Sequence, residues 1–157
     1  MTHTRTPILV LGIGNILLRD EGIGVRVIEA LGQQQLPDQV ELVDGGTAGA
    51  DLLDILSDRQ VVIIVDAAVF DAPPGTLLKF SSNDLLPPSQ TALSLHDLDI
   101  VQTLAMTRLL KCPPAKVIFL GIVPEIIEPG LELSQTLQEK LAHYIQSIFQ
   151  ELNALIT

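Results

Sequence analysis

Short apolar runs alternate with amphipathic stretches along this chain. Ile8–Gly12 is a continuous apolar run ending in glycine, the pattern of a strand buried on both faces. Gly22–Gly32 follows, with apolar residues at Ile23, Val27, Ile28 and Leu31 at helical spacing. Val40-Glu-Leu-Val43 predicts a second strand, ended by Asp44-Gly-Gly46, after which Thr47 can cap a helix whose apolar stripe is Leu52, Leu53, Ile55 and Leu56. Val61-Val-Ile-Ile-Val65 is the most strand-like segment and stops at Asp66. Beyond the break at Asp71-Ala-Pro-Pro-Gly75, Thr76–Phe80 predicts another strand, and the Ser- and Pro-rich stretch Ser81–Ser94 reads as loop. Ser94 with Asp97 resembles a capping box, so a helix is expected from near Leu95, burying Leu98, Val101, Leu104, Ala105 and Leu109. Val117–Val123 is a further buried strand stopped by Pro124. Leu133, Leu137, Leu141, Tyr144, Ile145, Ile148 and Leu152 line one face of a long C-terminal helix.

Strands separated by amphipathic helices need crossover connections, which give a mostly parallel sheet covered on both faces. The expectation is one doubly wound, three-layer α/β domain over residues 1–157, with residues 1–6 a flexible tail. Ligands of such sheets bind outside the carboxyl ends of the strands, where the strand order switches.

Composition narrows the function classes. With 47% hydrophobic and only 3% aromatic residues, the core must be aliphatic. No apolar run approaches the ~20 residues of a membrane span, and the first residues lack the apolar stretch of a signal peptide. A lone Cys112 cannot form an internal disulfide and reads as a bystander, which fits a reducing compartment; a cytoplasmic location is expected. The net charge is −10, and nine basic residues scattered over the chain make no stripe for a phosphate backbone, so neither nucleic acid nor membrane is expected as a partner. A monomer is expected, because no apolar helix face is left over once the sheet is covered.

The candidates for chemistry follow strand ends: Asp20 and Glu21 after the first, Asp44 after the second, Asp66 after the third. A carboxylate closing a run as apolar as Val61–Val65 must be paired or hydrogen-bonded, either as a ligand or as an acceptor in its own turn. Among the three histidines, His3 lies in the tail and His143 beside the stripe of the last helix, whereas His96 opens a helix after a long loop. It is either a surface residue or a ligand. Glu21, Asp66 and His96 together offer two oxygens and a nitrogen, a set that suits a borderline divalent ion such as zinc or nickel.

Several alternatives fail on spacing. Gly12 and Gly14 begin a dinucleotide fingerprint, but Leu17 occupies its third glycine position and is expected to obstruct close helix–strand packing. A Gly-x-x-x-x-Gly-Lys-Ser/Thr phosphate loop, a His-Glu-x-x-His helix and a Gly-x-Ser-x-Gly elbow are all absent from the sequence. A phosphorylation receiver would place a lysine after its last strand, where this chain has Gly121-Ile-Val-Pro-Glu125.

Taken in order, Leu11-Gly-Ile-Gly-Asn15 with Asp20-Glu-Gly-Ile-Gly24, Asp44-Gly-Gly-Thr47, Asp66-Ala67, Ser94-Leu-His96, and Gly121-Ile-Val-Pro124 with Pro129 resemble the maturation endopeptidases of nickel–iron hydrogenases over nearly the whole chain. The resemblance implies a twisted five-stranded sheet between helices and removal of a C-terminal extension from a nickel-loaded hydrogenase large-subunit precursor. It implies Glu21, Asp66 and His96 as metal contacts, Gly45, Gly46 and Thr47 as substrate-recognition residues, and catalytic help from Asp44 and Asp66. The nickel is expected to arrive with the precursor, leaving the isolated chain metal-free. Asp20 is left as a helix-start residue. A nickel-checking chaperone and a non-cleaving scaffold for the same precursor are the alternatives.

Overall fold

The computed structural model describes residues 5–46, 52–81 and 95–156, apart from the side chains of 95–101. The elements run β1 (Ile8–Ile13), α1 (Ile23–Leu31), β2 (Val40–Gly46), α2 (Leu52–Leu56), β3 (Val61–Ala67), β4 (Leu77–Ser81), α3 (Leu95–Leu109), β5 (Lys116–Ile122) and α4 (Gln135–Ile156), with a one-turn 3-10 helix at Arg19–Gly22 before α1. The five strands form one sheet in the order β2-β1-β3-β5-β4. The expected α/β architecture is therefore the observed one. Every neighbouring pair is parallel except β4 with β5. The stretch between Ala67 and Leu77 is too short for the crossover of a dozen or more residues that a parallel pairing requires, so the chain turns back and β4 descends antiparallel on the edge.

Alternation along the central strands divides the core in two. Ile8 and Val10 of β1, Ile63, Val65 and Ala67 of β3, and Ile118, Leu120 and Ile122 of β5 meet α1 and α4 on one face. Leu9, Leu11 and Ile13, Val62 and Ile64, and Val117 and Phe119 meet α2 and α3 on the other. On α4 the buried residues are Leu137, Tyr144, Ile148 and Leu152, with Leu141 and Ile145 packed beside them, as the periodicity predicts. Tyr144 is the one aromatic of that stripe, and its hydroxyl donates to the Gly75 carbonyl at 2.7 Å.

The face of α3 differs from the prediction. Thr103, Leu104 and Thr107 are buried, while Ala105 and Leu109 are exposed, Leu109 by 81%. A buried threonine is tolerated there because the Thr107 hydroxyl donates to the Leu104 carbonyl of its own helix at 2.6 Å. Leu98 and Val101, like the Thr47 and Ser94 caps, lie outside what is described. Met106, Leu109 and Leu110 leave apolar surface at the end of α3, so the absence of a spare apolar face does not hold as an argument for a monomer. Among the described residues no helix is long and apolar enough to cross a membrane.

At the amino ends of the strands, Arg59 is buried and ties the sheet to the chain entering it. Its guanidinium donates to the Thr6 and Ile55 carbonyls at 2.8 and 3.0 Å and pairs with Glu41 at 3.0 Å. The carboxyl ends lie at the opposite side of the domain.

Candidate active site at the carboxyl ends of β1 and β3

The chain leaves β1 toward β2 on one side and later places β3 on the other, so the strand order switches between β1 and β3. Crevices at such points open outside the carboxyl ends. Three glycines build this one. A Cβ on Gly12 would fall 2.3 Å from the Gly24 carbonyl oxygen, and one on Gly24 would fall 2.2 Å from that of Val65. Gly14 has φ +137°, and a Cβ there would lie 2.0 Å from the Glu21 carbonyl oxygen. Only glycine permits these approaches. The close helix–strand packing that Leu17 was expected to obstruct is therefore made by Gly24, after the intervening residues loop outward and leave Leu17 60% exposed.

Glu21 sits in the 3-10 turn that packs against β3, three residues before the contact of Gly24 with Val65. Asp66 is the next residue of β3. It is fully buried, and its Oδ1 accepts a hydrogen bond from the Ala67 N–H at 2.8 Å. The strand continues through Asp66 to Ala67 rather than stopping before it. Strand alternation puts Asp66 on the face of Val62 and Ile64, toward α2 and α3.

His96 is the second residue of α3. The far end of that helix is tied to the amino end of β3, where the Asp58 N–H donates to the Cys112 carbonyl at 3.1 Å. Fifteen residues of helix, about 22 Å at 1.5 Å per residue, separate that end from the turn holding His96. The His96 side chain itself is outside the described set. So is Thr47, which follows Gly46 at the end of β2.

Asp44 is placed differently. It is exposed, pairs in register with Gly12, and lies two strands from Asp66, about 10 Å at ordinary strand spacing. Alternation puts it on the face of Leu42, toward α1 and away from the face of Asp66. Strand β2 runs on through Asp44, Gly45 and Gly46, where the sequence predicts its end at Val43. Gly45 is buried against Leu11, and Gly46 adopts φ +45°. The structure thus sets the turn of Glu21 against β3, whose carboxyl end carries Asp66, and leaves Asp44 with its glycines on the neighbouring rim.

Among the described residues no three His, Cys, Asp or Glu side chains converge on a common point, the imidazole of His96 being outside that set. Two carboxylates flanking the β1–β3 crevice are a donor pair that a borderline divalent ion accepts, and an imidazole from α3 would complete it.

Asp20 is the residue that sequence reasoning underrated. It does stand in the first turn of the 3-10 helix that runs into α1, but it does more than start a helix. Its carboxylate is fully buried and accepts three backbone N–H groups from the far side of the chain: Glu125 and Ile126 at 2.9 Å to Oδ2, and Ser134 at 2.7 Å to Oδ1. Its own N–H donates to the Ile126 carbonyl at 3.1 Å. The partners are more than a hundred residues away, and no periodicity links them. Burial, and secondarily the negative charge of Asp20, push the Tyr144 hydroxyl up to about 12. A groove of about 940 Å³ between α1 and the start of α4, lined among others by Arg26, Glu29, Gln33 and Gln138, includes none of Glu21, Asp44 and Asp66.

The fold and the crevice define a small doubly wound α/β domain with acidic groups at its switch point. Comparison with known proteins gives the family. A sequence model described as "Hydrogenase maturation protease" matches residues 25–151. The hydrogenase 2 maturation protease of Escherichia coli is 39% identical over 147 residues, covering 92% of this chain and 90% of that one. The hydrogenase expression/formation protein HupD of Thiocapsa roseopersicina is 36% identical over 92% of this chain and 67% of its own. The solved structure of the hydrogenase maturating endopeptidase HybD from E. coli superposes with a TM-score of 0.87 at 38% identity, covering 95% of this chain and 93% of that one. The chain belongs to the hydrogenase maturation protease family.

Proposed function

We propose that this protein is an endopeptidase that removes the C-terminal extension of a nickel–iron hydrogenase large-subunit precursor, and that it recognises the nickel already bound in that precursor. What supports the reading is that the turn carrying Glu21 packs on β3, whose carboxyl end carries the buried Asp66, beside the switch between β1 and β3, within a chain of this family. Glu21, Asp66 and His96 complete the coordination of the substrate's nickel and so align the scissile peptide beside it. The nickel supplies Lewis acidity, to the scissile carbonyl or to a water. Asp66, held by the Ala67 N–H, contributes a fixed carboxylate, and Asp44 on the β2 rim serves as base or orienter for the incoming chain. Gly45, Gly46 and Thr47 contact the extension, the glycines leaving the backbone open to it. The nickel belongs to the precursor, the free enzyme is metal-free, and it acts in the cytoplasm.

The test is incubation with nickel-loaded precursor, read as a mobility shift on a gel. Wild type should cut it and leave apo-precursor intact, whereas Asp66→Ala and His96→Ala should not cut. Binding without cleavage by wild type would make the protein a nickel-checking chaperone. Cleavage surviving both substitutions would overturn the site, and equal cleavage of apo-precursor would overturn nickel as the handle.

A further inference from the structure

Asp20 holds more than its own turn. The segment before α1 and the segment after β5 are stitched together through it and its neighbours. Arg19 N–H donates to the Gly130 carbonyl at 3.1 Å, the Gly130 N–H returns a bond to Leu17 at 2.9 Å, and the Arg19 side chain reaches the Glu132 carbonyl and the Glu128 carboxylate, each at 3.0 Å. Arg19 itself adopts φ +50°, a left-handed conformation that a non-glycine residue holds only where its surroundings over-determine it. Glu21 lies two residues on, with its N–H donating to the Leu18 carbonyl at 3.2 Å and its own carbonyl pressed against Gly14.

From this geometry we infer that Asp20 is a positioning residue for the cleavage reaction: its buried carboxylate, clamped by the N–H groups of Glu125, Ile126 and Ser134, fixes the backbone from which Glu21 reaches the substrate's metal. The inference rests on the proposed role of Glu21. A purely architectural Asp20 would lend stability to the whole domain alike. A positioning Asp20 acts through its neighbour, and its loss is felt where Glu21 is felt.

Asp20→Asn is the informative variant, because it preserves shape while placing an amide N–H₂ against at least one of the backbone donors. Glu41→Gln, which weakens the ion pair of Arg59 at the other end of the sheet, is the control for general destabilisation. Conditions are chosen so that both variants are equally folded. The first readout is amide hydrogen exchange in the free protein. Asp20→Asn should lower protection at Glu21 at least about tenfold, together with that of Glu125, Ile126 and Ser134, and Glu41→Gln should leave all four unchanged. Unchanged protection at Glu21 would overturn the inference whatever the enzyme does with nickel. The second readout is the affinity ratio between nickel-loaded and apo-precursor. Asp20→Asn should lose most of that ratio, and Asp20→Asn combined with Glu21→Gln should lose no more than Glu21→Gln alone. Additive losses, or an equal loss from Glu41→Gln, would show that Asp20 does not act through Glu21. A wild-type ratio of one would instead remove the nickel reading, and the inference would fall with it, a failure told apart by the intact exchange result.

Discussion

Gly24 lies so close to Val65 that a Cβ on it would fall 2.2 Å from the Val65 carbonyl oxygen and 2.3 Å from that of Ile13. Both neighbours are strand backbone and cannot step aside without moving the sheet. Gly24→Ala should therefore destabilise the domain by about 3 kcal/mol through overpacking. Gly32→Ala, whose Cβ would come no closer than 3.3 Å to the Glu29 carbonyl in an ordinary helical conformation, should change stability by less than about 0.5 kcal/mol. Urea unfolding midpoints compare the two, and equal midpoints would refute the close-contact argument.

Within the proposed reaction, Glu21→Gln and Asp66→Asn each remove one anionic oxygen donor from the crevice. Cleavage of nickel-loaded precursor should fall at least about a hundredfold in both, with thermal stability little changed in Glu21→Gln, whose residue is only half-buried. Initial rates from densitometry of precursor and product check this.

Stripping nickel from the precursor should abolish processing by the unaltered enzyme, and restoring it before mixing should return the rate. Preloading the enzyme with nickel, then offering stripped precursor, should not. Product appearing in that last mixture would mean that the enzyme carries the metal.

The Tyr144 hydroxyl predicts behaviour in alkali. Its value is raised to about 12, so the folded state favours the neutral form. That contribution is fully present below pH 10 and is lost as pH rises from 10 toward 12, on the order of 2–3 kcal/mol at 1.36 kcal/mol per unit. Tyr144→Phe should flatten this alkaline decline while costing about 1 kcal/mol near neutrality, from the lost bond to Gly75. Denaturant unfolding at pH 7, 9, 10 and 11 tests both halves.

Glu41→Gln should lower stability by about 1–2 kcal/mol, because Arg59 keeps its two carbonyl partners but loses the compensating charge. Cleavage rates at a temperature where the variant is fully folded should match wild type. A large loss of activity there would mean that the two ends of the sheet are coupled.

The strands and the two long-striped helices were legible because burial of one face writes a period into the sequence. Val61–Val65 and the α4 series Leu137, Tyr144, Ile148 and Leu152 are of that kind. Strand direction leaves no such trace, and the antiparallel descent of β4 follows from the shortness of its connection. On α3 the buried threonines look polar to any hydropathy reading, since the bond from Thr107 to Leu104 that makes burial tolerable is invisible in composition. At the site, the strand ends mark Glu21, Asp44 and Asp66, and the family resemblance joins Glu21 and Asp66 to His96. Which carboxylates share a crevice depends on strand order. That order sets the strand that leads to Glu21 beside the strand that carries Asp66, and alternation puts Asp44 on the other face from Asp66. The part Asp20 plays as a buried acceptor was equally hidden, because the donors that hold it lie at Glu125, Ile126 and Ser134.

The adjacency of β1 and β3 also has a consequence for timing during synthesis. Glu21 leaves the ribosome long before Asp66, and the two share a crevice only once β3 has docked in parallel beside β1 across an intervening strand and two helices. A nascent fragment that stops short of Val61 carries Glu21 without Asp66 and has no β1–β3 pairing. The proposed peptide-cutting centre is thus silent in every copy that ends before β3, and its assembly requires that β1 and β3 have paired.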